Sequence, residues 1–174
     1  MTTKEIADAA NLTPGGYSLL RDDSTDTTYL DSLEHDSLHE DAVRFLAMKL
    51  SAADGIKWAL QCARELQPAD KRDRQRETLE SADKWVQAPS DTTRWDAKNT
   101  SERLKSEPPA SLIAMAVYMS GGSLTPPGSP PADPPPLVAQ KMVMAAVQAS
   151  IFSEDLQHLK ERYQRALAMG KKIG

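Results

Sequence analysis

The chain has 174 residues, with 21 Lys and Arg against 25 Asp and Glu for a net charge of −4, and a calculated pI near 5.4. That length suits one domain burying about 70% of its unfolded surface, and 40% apolar residues with 5% aromatics put Leu, Ala, Val and Met in the core. One cysteine excludes a disulfide framework and multi-cysteine metal sites, and no apolar run reaches signal-peptide or membrane-span length, so a soluble cytoplasmic protein without membrane insertion is expected.

The charge is unevenly placed. Residues 1–41 hold ten acids against Lys4 and Arg21, a local charge of −8 that leaves +4 for the remainder. From Thr13 to Asp36 the chain is rich in Thr, Ser and Gly and weakly periodic, which reads as a loosely structured acidic arm over residues 1–36. Tyr17, Leu19, Leu20, Tyr29, Leu30 and Leu33 are the side chains able to anchor it as an irregular strap.

From residue 37 to 174 the pattern is helical. Ser37 with Glu40 reads as a capping box ahead of Val43, Phe45, Leu46 and Leu50. Ser51 with Asp54 repeats it, and Ile56, Ala59, Leu60 and Ala63 then form an apolar stripe widened by Trp58, Cys62 and Leu66. Pro68 separates that helix from the next, which turns Leu79, Ala82, Trp85 and Val86 inward. Ser90 or Asp91 caps a polar helix whose core candidates are Trp95, Ala97 and Leu104. Pro109 opens ASLIAMAVYMS, apolar on all sides and therefore central, and Gly121-Gly122 stops it.

Seven of the twelve prolines fall between Pro126 and Pro136, so residues 121–136 read as a Pro/Gly-rich crossover loop. Pro136 starts another helix, and Ser153 caps a last one ending at Gly170. The expectation is an all-α protein: a single compact bundle of six or seven helices with a proline-rich crossover and an acidic arm.

Chemistry is sparse. His35 and His39, flanked by Glu34, Asp36, Glu40 and Asp41, have the spacing of a metal pair, but Ser37 between them reads as a helix start that parts them. Cys62 lacks a neighbouring base and reads as core, and His158 as a surface residue of the last helix. Ser120-Gly121-Gly122-Ser123 lacks the Lys-Ser/Thr of a phosphate loop and follows a helix instead of preceding one. Arg72, Arg74 and Arg76 are interleaved with Asp70, Asp73 and Glu77, a salt-bridged face rather than a nucleic-acid stripe. No catalytic, metal or cofactor-binding set emerges. The proline segment has two P-x-x-P spacings, Pro127–Pro130 and Pro131–Pro134, suited both to strapping two helices and to recognition by a protein partner.

The blocks AVRFLAMKL, IKWALQCAR, ADKWVQAPSDTTRWDA and AVYMSGGSLTPPGSPPADPPPLVAQKMVMAAV resemble an uncharacterised bacterial family of small helical proteins. That family carries an S-G-G-S-L-x-P-P loop, and its genes often lie near type VI secretion genes. The resemblance spans about residues 40–170, is most specific at SGGSLTPP, and leaves residues 1–36 outside. It implies no catalytic residues and no cofactor. It implies a non-catalytic interaction protein, an adaptor or chaperone for a secretion component, with Ser120, Gly121, Gly122, Ser123, Pro126, Pro127, Pro134 and Pro135 as the partner-binding residues. Two alternatives stand beside it: an immunity protein that meets a basic toxin with the acidic arm, and a small enzyme using acidic residues with His35 or His39.

Overall fold

The computed structural model describes residues 1–105, 107–126, 128–153 and 156–174. Among these there are ten α-helices and one 3₁₀ turn, and no strand. In chain order they are α1 (Thr3–Ala10), α2 (Pro14–Ser18), α3 (Asp26–His35), α4 (His39–Lys49), α5 (Ala52–Leu66), α6 (Ala69–Gln87), α7 (Asp91–Arg103), α8 (Ala110–Tyr118), α9 (Val138–Ile151), the turn η1 (Leu156–His158) and α10 (Leu159–Lys171).

Helices α4 to α10 are the seven that the periodicity after residue 36 predicts; the other three lie in the segment read as a loose arm. There the structure departs from expectation. Thr2 with Glu5, and Thr25 with Thr28, form capping boxes that nucleate α1 and α3. Ile6, Ala7, Ala10, Leu12, Tyr29, Leu30 and Leu33 are buried in the same core as the body. The Tyr29 hydroxyl donates to the Gly16 carbonyl at 2.7 Å, and its ring meets Phe45 edge-on at 5.0 Å. Buried Asp41 accepts from the Thr13 amide at 3.0 Å and the Thr13 hydroxyl at 2.5 Å, tying α2 to α4. Lys171 on α10 pairs with Asp31 at 2.9 Å and Glu34 at 2.8 Å on α3.

Helices α4, α5, α8 and α9 form the centre, with α1, α3 and α10 against α4, and α6 and α7 against α8. As its all-round apolar sequence requires, α8 is almost entirely buried. Two buried arginines serve as helix caps. Arg162 donates to the carbonyls of Leu66 at 2.6 Å, Ser150 at 2.8 Å and Ile151 at 2.6 Å, so it closes α5 and α9 together.

Several caps move. Ser37 is not the N-cap of α4; it takes a left-handed φ of 61°, Leu38 is the N-cap, and no side chain caps the helix. Ser153 caps no helix start: its hydroxyl donates to the Leu66 and Ser150 carbonyls. Helix α8 stops at Met119, before the glycines, and Leu137, not Pro136, precedes α9. Gly170 lies inside α10, where the absent side chain admits Leu46 and Trp58. Trp95 is only half buried, and its neighbour Arg94 is the buried residue.

Candidate interaction surface

The S-G-G-S-L segment leaves the C-terminal end of α8, where unpaired carbonyls concentrate negative potential. Arg94, 3% exposed, comes from the first turn of α7 to meet it. Its Nη1 donates to the Tyr118 carbonyl at 2.9 Å, its Nη2 to the Ser123 carbonyl at 2.7 Å, and its Nε to exposed Asp91 at 3.1 Å. The guanidinium also lies over the Tyr118 ring at 5.2 Å and the Trp95 ring at 5.7 Å. Each nitrogen of the buried cation thereby has an acceptor, one of them a carboxylate, the condition under which burial is tolerated.

Beyond the clamp, the loop is closed on itself. The Leu124 amide donates to the Ala132 carbonyl at 2.8 Å, and the Tyr118 hydroxyl donates to the Leu124 carbonyl at 2.6 Å. The Ser123 hydroxyl accepts from the amides of Thr125 at 3.1 Å and Ala132 at 3.2 Å, and lies 2.7 Å from the Thr125 hydroxyl. Thr125 in turn donates to the Pro130 carbonyl at 2.8 Å. One hydroxyl thus holds both ends of the turn. A cleft of about 210 Å³ lies between the loop and the start of α7, lined by Asp91, Arg94, Trp95, Ser123, Thr125 and Pro126 among others.

The residues singled out from sequence divide into two groups. Ser120 and Ser123 are half buried and bonded internally, Ser120 to the Val117 carbonyl at 2.7 Å. Gly122, with φ of 68°, sits against Arg94 and Asp91, whereas Gly121 has open space around it. Pro126 and Pro135 are exposed and Pro134 is half buried. Pro127 lies outside the described residues. Gly128, Ser129, Pro130 and Pro131 are exposed as well, the two prolines at positions that the P-x-x-P spacings mark; sequence reasoning missed Arg94, Trp95 and Tyr118 as part of this surface. The alternation D-T-T-R-W-D hides a buried arginine, because its partners lie 24 and 29 residues away.

The other candidates resolve simply. His35 ends α3 and is exposed, while His39 opens α4 and is buried, so the pair does not share a helix face. Cys62 is fully buried, and that burial pushes its thiol well above the ordinary range. Arg74 and Arg76 pair with Asp70 at 3.2 Å and Asp73 at 2.6 Å on an exposed face. His158 is exposed in η1. No helix among the described residues is long and apolar enough to cross a membrane.

An all-α bundle carrying an Arg-clamped proline loop defines the class of this molecule. The chain belongs to a family of unknown function (DUF6931), whose profile matches residues 29–174. The match begins at Tyr29 within α3, so it takes in part of the segment that the sequence resemblance left outside. Neither the curated proteins nor the solved structures contain a match.

Proposed function

We propose that this protein is a non-catalytic helical interaction module of the cytoplasm, an adaptor or chaperone accessory to bacterial type VI secretion, which presents residues 121–136 to a protein partner. The observation that carries this reading is the loop's construction. Internal hydrogen bonds and the Arg94 clamp hold the backbone, while Pro126, Pro130, Pro131 and Pro135 remain exposed. A surface ordered before contact loses less entropy on binding than a flexible linker does, and exposed prolines with fixed φ suit an aromatic-lined groove. The secretion context rests on the S-G-G-S-L-x-P-P resemblance. Affinity capture from cells bearing the secretion genes, with the intact protein and with residues 128–135 replaced by Gly/Ser, tests it. A secretion component retained only by the intact loop supports the reading; equal recovery by both proteins defeats it.

A second reading, an immunity protein for a basic toxin, is favoured by the acids of residues 1–41. Asp8, Asp22, Asp23, Asp31 and Asp36 are all exposed, a field suited to fast, salt-sensitive association. Asp22, Asp23 and Asp36 changed together to Asn should slow such association and weaken its salt dependence. Partner binding unaffected by the triple change removes this reading.

A further inference from the structure

A second surface, separate from the proline loop, lies where α4, η1 and α10 meet. An open groove of about 580 Å³ is lined there by His39, Phe152, Leu156, Lys160 and Tyr163, among others. Four observations converge on it. Phe152 is 47% and Leu156 66% exposed, two of the few large apolar side chains left in water. His39 is 9% exposed, yet neither ring nitrogen has a hydrogen-bond partner among the described residues, although the ring stacks on Tyr163 at 6.3 Å. Helix α4 begins without a side-chain cap, and the amides of His39 and Glu40 find no acceptor among the described residues. Lys160 is exposed and makes no ion pair among the described residues.

Each feature favours the same complement, beyond the Glu40 and Asp41 carboxylates already in the first turn of α4. A helix N-terminus without a cap favours negative charge. An exposed ammonium does likewise, and an orphaned imidazole N–H requires an acceptor. Beside them, the Phe152, Leu156 and Tyr163 side chains offer an apolar wall. We propose that this groove binds the C-terminal residue of a partner chain, its α-carboxylate against Lys160, His39 and the start of α4, and its apolar side chain against Phe152, Leu156 and Tyr163. Capture of a chain end by backbone amides and a cation is a known recognition mode, and the groove's volume lies within the range of ligand sites. The His39 nitrogens are themselves covered, so binding requires side chains around them to shift.

The charges around His39 set the pH behaviour. Lys160 on α10 opposes a proton there, Glu34 on α3 favours one, and Glu40 is engaged by Arg44 at 2.5 Å. Tyr163 stays neutral, its hydroxyl pushed up to about 12 by burial. A carboxylate placed against His39 stabilises the imidazolium, so binding tightens as the pH falls into the histidine range.

The test uses N-acetyl-L-phenylalanine as a chain-end mimic and its amide as control, followed by amide chemical shifts of the full chain. The acid should shift His39, Lys160 and Phe152, bind at least about tenfold tighter than the amide, and bind more tightly at lower pH. Lys160→Ala, at an exposed position, should weaken it about tenfold. His39→Phe should weaken it while leaving Tm unchanged or higher, whereas a purely structural His39 would lower Tm. Replacement of residues 128–135 should leave it unaltered, which separates this site from the loop. Equal binding of acid and amide, no binding of either, or shifts confined to other surfaces would overturn the proposal.

Discussion

The guanidinium of Arg94 fills the space in which a side chain on Gly122 would begin. A β-carbon built there lies 3.0 Å from Nη2 and 3.1 Å from Nε, with Asp91 Oδ1 also at 3.0 Å. At a φ of 68° the backbone itself disfavours any L side chain. The adjacent glycine has no such neighbours. Gly122→Ala should therefore cost about 1–3 kcal/mol, and Gly121→Ala no more than about 0.5 kcal/mol, compared by urea unfolding of the two variants.

Arg94→Met removes the cation and leaves the Tyr118 and Ser123 carbonyls, 2.9 and 2.7 Å from it, without their donor. The loss should be about 2–5 kcal/mol, from two carbonyls left without a donor at about 1–3 kcal/mol each. Arg94→Lys should recover little of it, since one ammonium cannot span three acceptors in a fork. Limited proteolysis offers a local readout: cleavage within 121–136 should accelerate in both variants, more than cleavage elsewhere.

Arg162 makes the equivalent prediction elsewhere in the bundle. It joins the last carbonyls of α5 and α9, and Arg162→Leu leaves Leu66, Ser150 and Ile151 without that donor. A loss of about 2–5 kcal/mol is expected from carbonyls left short of a donor, seen in the denaturation midpoint, with no selective effect on cleavage of the proline loop.

His39 gives a pH signature. Burial, aided by Lys160, holds its imidazole below the ordinary 6.5. The unfolded chain takes up the proton near 6.5 and the native protein resists it. Stability is therefore insensitive to this group above that value and falls as the pH drops from there to the lowered native value. Thermal melts of His39→Phe should lack this component of the decline while keeping the carboxylate-driven loss at more acid pH.

Removal of residues 1–36 should not yield a folded body. It strips Ile6, Ala7, Leu12, Tyr29, Leu30 and Leu33 from the core and leaves α4 uncovered on that side. The truncated chain should lose cooperative thermal unfolding, monitored by far-UV circular dichroism. A sharp transition near that of the full chain would show that the segment is a dispensable arm.

How much of this was readable beforehand follows from where each interaction partner lies. Helix α5 announces itself because a cap and periodic apolar residues sit within one window, Ser51 and the Ile56–Ala63 stripe, and α8 because it is apolar on every side. Helix α3 does not: in DTTYLDSLEH only Tyr29, Leu30 and Leu33 are large and buried, and the surrounding Thr and Asp dilute them to the composition of a loop. Their burial depends on α4 being present to receive them. The loop was legible as a feature, since glycine and proline fix it locally, but its clamp was not, because a buried arginine is specified by distant carbonyls. The parting of His35 from His39 was legible in Ser37 between them, although Ser37 does it by a left-handed turn and not by capping α4.

The Arg94 clamp also carries force. Its two carbonyl contacts belong to the end of α8 and the start of the loop, and its own backbone to the first turn of α7. A partner that pulls on the prolines thus loads two helices in parallel instead of peeling one strand of chain away. On the α8 side of the loop, tension at Pro130 would reach α7 through Arg94 as well as α8 through the chain itself.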